Sequence, residues 1–329
     1  MRETLGIEKV KTGETLTIEC VTAPDRERAD AIRPLLGHKG PHYGFHIESA
    51  LAGRCDGLET RWYVGAIDGE LVCNIQTVER IGAGILGHVY TRPEHRLKGV
   101  AKAVMALQMQ DFRARQGKVL LLGTGYQSAP YWMYHGFGFR DLAHAKPGKM
   151  RYAAPGAEDF EQRLFAEPAH EVTAAGWRHW PLVALLASVP GAGYLRSVTM
   201  GVWGVTVAEG EFCSYFVQNI ENQDARSFVL ESAAGAVLAI ATLLPDGRWK
   251  GDVRILDLFG HPSVDPDDLR RLMSALPISE RRTQCYCDPD DAPKILALEG
   301  AGFRRTAILP EQFREGDRWR DAWCFTLES

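Results

Sequence analysis

No apolar run in this 329-residue chain approaches the roughly 20 residues that a membrane-spanning helix needs. The opening residues, Met-Arg-Glu-Thr-Leu-Gly, lack the apolar stretch of a secretory leader, so the sequence reads as that of a cytoplasmic protein. Cysteine is scarce. The seven form an odd set, and most fall in stretches that read as strands or helices, which suits reduced core thiols and excludes a disulfide framework. Cys285 and Cys287 make a C-x-C with no second pair and no histidine cluster nearby, so no metal is expected. A large charge of one sign is also missing: 38 basic against 42 acidic residues leave −4, too little for a nucleic-acid-binding surface. With 45% hydrophobic residues and no glycine or proline excess, neither disorder nor a fibrous chain fits.

What is present is enough sequence for two domains of about 150 residues each. The charge divides unevenly between them, with a net +4 up to residue 150 and −8 beyond it. That split suggests an anion-binding half beside a half that attracts cations.

The first half alternates strand and helix patterns. Leu16 to Val21 is β-rich, Asp25 to Leu36 reads as a helix opened by aspartate, and His42 to Ala52 is a second amphipathic stretch. Arg61 to Ile67, Leu71 to Val78 and Ile85 to Thr91 read as three antiparallel strands, the first two joined at Asp68-Gly69. Gly99 to Arg115 carries a wide apolar face for packing on a sheet, Lys118 to Leu122 reads as a buried strand, and Ser128 to His135 as a short aromatic helix. Proline and glycine at 147, 148, 155, 156 and 168 suggest a linker over 151–168.

Gly82, Gly84 and Gly87 spell G-x-G-x-x-G. A dinucleotide fingerprint needs its last glycine to open a helix, and here a β-rich run to Pro93 follows, so these glycines read as a hairpin turn. A stronger signal lies downstream in Val89-Tyr90-Thr91-Arg92-Pro93-Glu94-His95-Arg96-Leu97-Lys98-Gly99-Val100-Ala101: a strand, a proline stop, then a basic glycine loop opening a long helix. Such a helix start leaves N–H groups unpaired and partially positive, which suits a phosphate. Gly99 lets the phosphate approach the backbone, and Arg96, Lys98 and Lys102 add charge.

At these residues the sequence resembles the GNAT superfamily of acyl-CoA-dependent N-acyltransferases. Arg96-Leu97-Lys98-Gly99-Val100-Ala101 fits that family's Gln/Arg-x-x-Gly-x-Gly/Ala pyrophosphate loop. A second family feature, a tyrosine shortly before Gly-Phe on the next helix, is matched by Tyr134-His135-Gly136-Phe137-Gly138-Phe139. The resemblance covers residues 15–150. It implies an acyl-CoA co-substrate lying along Val89, Tyr90 and Thr91, with Arg96 to Lys102 at the pyrophosphate and Tyr134 as the acid that protonates the departing thiolate. It further implies a small-molecule primary amine as acceptor. Many members place an asparagine where Gln127 and Ser128 stand, so Ser128 is carried as a cofactor contact, or as a plain helix cap. The base stays open between His88, Glu79, the terminal carboxylate of Ser329 and a water relay, because the strand before the loop has no acid.

A shift of 169 positions pairs Arg92 to Leu107 with His261 to Leu276 without a gap, and Ala129-Pro130 and Gly138-Phe139 have counterparts in Ala292-Pro293 and Gly302-Phe303. The expected fold class is therefore α/β (α+β), with two GNAT-like modules, each a mixed, mostly antiparallel sheet flanked by helices: 1–150 for CoA, 169–329 degenerate. In the second, Asp265, Asp267 and Asp268 replace Arg96, Lys98 and Gly99, and Leu298 stands where the first has Tyr134. Three carboxylates would repel a pyrophosphate, so CoA is not expected there. The resemblance extends to families with one active and one degenerate module, in which an acidic second module would wall the site of a cationic amine. Acylation of a protein amine, or an acyl-CoA-binding sensor without catalysis, are the alternatives.

Overall fold

Alternating apolar patterns in the first half build one eight-stranded sheet. In the computed structural model, which describes residues 1–221, 226–248, 253–278 and 282–327, the elements run β1 (Arg2–Lys9), β2 (Thr15–Thr22), α1 (Arg26–Leu36), α2 (Pro41–Leu51), β3 (Glu59–Ile67), β4 (Glu70–Arg80), β5 (Ala83–Thr91), α3 (Val100–Ala114), β6 (Val119–Gly123), α4 (Ala129–Gly136), β7 (Arg140–Asp141) and β8 (Lys149–Ala153). Asp25 caps α1 by accepting from the Arg28 N–H at 3.1 Å, and Pro41 opens α2 where its missing N–H is harmless. The strand order is β1-β2-β3-β4-β5-β6-β8-β7. Because successive strand residues face opposite ways, Tyr63 and Ile75 join a cluster with Val104, Met105 and Phe112 of α3, while Trp62 and Val64 join Ile32 and Leu35 of α1 and Ile47 of α2. The sheet is therefore covered on both faces, which explains why β4 is buried almost throughout.

Two features depart from the sequence reading. β1 has few apolar residues and a largely exposed edge position, so it carries no inward pattern to detect. Residues 151–168, where the chain passes from one unit to the other at Glu158–Asp159, are built of regular elements and not of a bare linker. Met150 and Tyr152 of β8 are buried, β8 pairs with β6 from Val119↔Ala153 to Gly123↔Lys149, and α5 (Ala157–Ala166) follows. The prolines and glycines there mark turns that flank elements. The chain divides into a first unit of Met1–Asp141, Pro147–Glu158 and Trp177–Pro181 and a second of Leu142–Lys146, Asp159–Gly176 and Leu182–Ser329.

The remaining elements are β9 (Ala169–Ala174), α6 (Trp180–Ser188), β10 (Leu195–Ser197), β11 (Val202–Trp203), α7 (Glu209–Glu221), β12 (Arg226–Ser232), β13 (Val237–Pro245), β14 (Arg254–Gly260), α8 (Pro266–Ser274), β15 (Thr283–Cys287), α9 (Ala292–Gly300), β16 (Arg304–Glu315) and β17 (Arg318–Leu327). The seven-stranded second sheet has the order β16-β17-β15-β14-β13-β12-β9. Both sheets share one pairing plan: antiparallel strands, one parallel pair joined through a helix, then an antiparallel return. The parallel pair is β5–β6 across α3 in one and β14–β15 across α8 in the other. All seven cysteines are free thiols. No helix among the described residues is long and apolar enough to cross a membrane, and no group of three or more His, Cys, Asp or Glu among them is placed to hold a metal ion.

Candidate active site

In the first unit the parallel pair parts early. β5 and β6 are paired only at Ala83↔Val119, Gly84↔Leu120 and Ile85↔Leu121. Past that point β5 continues to Thr91, while Leu122 and Gly123 of β6 stay with β8. The wedge between them leaves one side of Leu86–Thr91 without a strand partner, and an extended ligand can add to such an edge through main-chain hydrogen bonds.

The other side of β5 is irregular at the same level. Asn74 faces Tyr90 and Gln76 faces Gly87, so His88 and Val89 together oppose Ile75 in a β-bulge. His88 has φ +52°, a left-handed conformation uncommon outside glycine. Its carbonyl is held by the Asn74 amide, Nδ2 donating at 2.9 Å.

After Thr91 the chain makes one 3₁₀ turn, Pro93–His95, and enters α3 through Gly99, whose φ of +90° strains any side-chain-bearing residue. No side chain caps α3. The Ala103 N–H bonds the Gly99 carbonyl at 3.0 Å, so the N–H groups of Val100, Ala101 and Lys102 have no acceptor within the helix. With Leu97 also left-handed at φ +62°, the loop turns a set of free N–H groups outward at the helix start, the kind of group that receives anions in general.

The basic side chains do not all serve that start. Lys98 Nζ is paired with Glu14 at 3.0 Å, and its carbonyl accepts from the Lys11 N–H at 3.0 Å, so Lys98 ties the loop to the β1–β2 turn. Arg96 Nε donates to the Thr91 carbonyl at 3.0 Å, and its guanidinium lies 5.8 Å from the centre of the Tyr90 ring. The Thr91 carbonyl therefore already has a donor. Lys102 is exposed on the first turn of α3. Lys11, which sequence reading missed, runs beside Gly99: a Cβ built there would lie 3.9 Å from Lys11 Cγ. Only the β1–β2 pairing, absent from the local pattern, brings it there.

Tyr134 is 6% exposed and packs on Phe139, with ring centres 5.9 Å apart. It belongs to the buried cluster that holds Leu86 and Leu122, the residues just past the end of the β5–β6 ladder, with Val89 packed against it. Tyr131 is committed elsewhere, its hydroxyl donating to Asp141 at 2.6 Å. That bond to a carboxylate pushes its pKa up to about 12. Ser128 caps α4, its hydroxyl accepting from the Tyr131 N–H at 3.3 Å.

The opposite face of β5 carries histidines and aromatics that the sequence did not group. His88 sits edge-on to Tyr43 at 4.7 Å, and His38 lies 4.7 Å from the Tyr90 ring. His46 is fully buried, 3.5 Å from the Gln76 amide and packed against Trp177 and Trp180 at 5.1 and 4.8 Å. Burial, reinforced by Lys39, His46 and His38, holds the His88 pKa near 3. Burial alone does the same to His46. Both rings are thus neutral at pH 7, and His88 is too weakly basic to take a proton there.

Glu79 is removed from the list of bases. It pairs with Gly84 at the far end of β5, and both its oxygens are bonded by Arg115, at 2.7 and 3.0 Å, with Thr77 donating at 2.6 Å. This is a buried structural ion pair. Ser329 lies outside the described residues.

The second sheet handles the same places differently. Its parallel ladder is also three pairs long, Arg254↔Thr283 to Leu256↔Cys285. Beyond it, carboxylates at both strands are taken up by one segment: Asp257 accepts from Ser197 Oγ at 2.8 Å, Val198 N at 3.0 Å and Thr199 N at 2.7 Å, and Asp288 accepts from Leu195 N at 2.7 Å, while a cavity remains between Leu258–Gly260, Gly191–Gly193 and Pro293–Lys294. Residues 195–199 thus join the lips of β14 and β15. At the start of α8, Asp265 is itself the cap, accepting from Asp268 N at 2.8 Å, while Asp267 and Asp268 face Arg270 and Arg271. Asp265 thus takes up free N–H capacity at the start of α8 that a glycine entrance would leave open.

No family model and no curated protein matches the sequence. Solved structures with limited likeness include a ribosomal-protein-alanine N-acetyltransferase from Brucella melitensis (14% identity, 49% of this chain and 100% of that one, TM-score 0.40). Others are an N-acetyltransferase from Staphylococcus aureus Mu50 (16%, 48% and 97%, 0.39) and a spermidine N-acetyltransferase from Vibrio cholerae in complex with CoA and spermine (13%, 48% and 94%, 0.38). Each covers about half of this chain, and at these scores the likeness says nothing about activity.

Proposed function

We propose that the first unit is an acyl-CoA-dependent N-acyltransferase, moving an acetyl or other short acyl group from CoA to a primary amine on a small molecule. The observation that carries this reading is the wedge between β5 and β6, which opens beside a bulge and leads to an uncapped, left-handed helix start. An acyl-CoA has the matching parts: an extended pantetheine arm for the free edge of Val89–Thr91 and a pyrophosphate for the N–H groups of Gly99–Lys102. Arg96 holds the loop on β5, and Lys11 and Lys102 supply charge at its rim.

In the reaction the amine nitrogen attacks the thioester carbon, the tetrahedral oxyanion collapses, and the carbon–sulfur bond breaks. Tyr134, placed in the cluster at the end of the wedge, protonates the thiolate, and backbone N–H groups at Val89 and Tyr90 serve the oxyanion. Because His88 is a weak base and Glu79 is ion-paired, the acceptor gives up its proton to water. The second unit is read as a degenerate copy that takes no CoA: the shared pairing plan supports the kinship, and Asp265 capping the start of α8 in place of a free glycine entrance argues against a phosphate there. The surplus carboxylates that suggested a cationic acceptor are partly bonded within that unit, so the acceptor is described here only as a primary amine.

The lack of a strong base among the described groups favours one second reading, an acyl-CoA sensor. Release of free thiol from acetyl-CoA with a panel of small amines separates the two. Turnover that falls about tenfold or more in Tyr134→Phe, with acyl-CoA binding retained, supports catalysis. Tight CoA binding without thiol release for any amine supports the sensor.

A further inference from the structure

The geometry points to Asn74 as the positioning residue of the site, the side chain that fixes the β5 bulge from the neighbouring strand. This rests on the acyl-transfer reading for its kinetic consequences. A bulge leaves two residues facing one, so the backbone groups of His88 and Val89 are not consumed by β4 in the regular way. Something else must hold a buried carbonyl that the ladder has released. Asn74 does so: it is fully buried, one residue from the irregularity, and its Nδ2 donates to the His88 carbonyl at 2.9 Å. That bond turns Oδ1 the other way, and among the described residues Oδ1 meets no donor. A core position chosen for stability would not carry an unanswered acceptor, so the asparagine is placed for what its amide does to His88.

The second sheet supplies an internal control. Thr91 and Gly260 are equivalent under the 169-residue shift, and they face Cys73 and Ala239. One residue further along, Asn74 therefore corresponds to Ile240, which is buried and apolar. There the ladder between β13 and β14 runs from Ala239↔Gly260 to Pro245↔Arg254 without a shift in register. The sheet with the asparagine has the bulge and an open wedge. The sheet without it keeps a regular β13–β14 ladder at the equivalent level.

The test uses the intact chain with Asn74→Leu, which keeps the branching and removes the donor, and Asn74→Ala. Amide hydrogen exchange over Leu86–Thr91 is expected to speed up relative to β3 in both. The kcat for thiol release is expected to fall about tenfold or more while the acyl-CoA dissociation constant stays within about threefold, because the pyrophosphate loop is untouched. Adding His88→Gly, which accepts a left-handed backbone without strain, is expected to restore part of the lost exchange protection. Unchanged exchange in both Asn74 variants overturns the proposal. So does an equal loss of kcat and binding that tracks the loss of folded protein, as a purely structural role would give. A wild-type chain with no turnover would refute acyl transfer itself, and exchange alone would then decide whether Asn74 holds the bulge.

Discussion

Lowering the pH from 7 to 5 should destabilise the first unit through two histidines. His46 and His88 are buried as neutral rings with pKa values held near 3, against about 6.5 in an unfolded chain. The unfolded state therefore binds protons first. Their contribution is complete above about pH 6.5 and is lost as the pH falls through 6.5 toward 3. At pH 5 each histidine removes about 2 kcal/mol by this linkage, so the pair removes about 4 kcal/mol, a large share of the usual 5–15 kcal/mol of domain stability. Urea unfolding at pH 7, 6 and 5, read by hydrogen exchange of peptides from β3 to β5, isolates this unit. His46→Phe keeps a ring against Trp177 and Trp180 and should remove about half of the pH dependence. A midpoint that is flat between pH 7 and 5, or a His46→Phe slope equal to wild type, would refute the reasoning.

Other consequences concern single side chains. Gly99→Val forces a β-branched residue into φ +90° and should weaken acyl-CoA binding by about tenfold or more in calorimetry, with the thermal midpoint little changed. Arg115→Ala leaves the buried Glu79 carboxylate without its ion-pair partner and should cost about 3–5 kcal/mol in denaturant unfolding. Glu79→Gln should leave kcat per folded molecule unchanged; a tenfold loss would restore Glu79 as a base. Asp257→Ala removes the acceptor of four groups in residues 197–199 and should destabilise the second unit by several kcal/mol without altering CoA binding, both readable by hydrogen exchange with and without CoA.

The sequence made the helix start legible because strand, proline, basic loop and glycine are consecutive, and a local pattern is all that such a loop needs. Of the G-x-G-x-x-G read as a turn, only Gly82 lies in one: Ile81 and Gly82, both at positive φ, link β4 to β5, whereas Gly84 and Gly87 are ladder residues of β5 facing Glu79 and Gln76. Side chains that depend on pairing were not legible. Asn74 matters only because β4 faces a bulge, and Lys11 only because β1 and β2 form a hairpin that ends at the loop. Lys98 was given to a phosphate because its neighbours were read along the chain, whereas its partner Glu14 is 84 residues away. For the aspartates of the second unit, the chain order did not reveal that Asp265 caps α8 or that Asp267 and Asp268 pair with arginines three residues on.

Hydrogen exchange of the intact chain with and without saturating acetyl-CoA tests the central claim most directly. The account predicts slowed exchange over Leu86–Thr91 and Leu97–Lys102, and no change over Asp257–Leu269. Protection in the second unit, or none in either segment of the first, would contradict it.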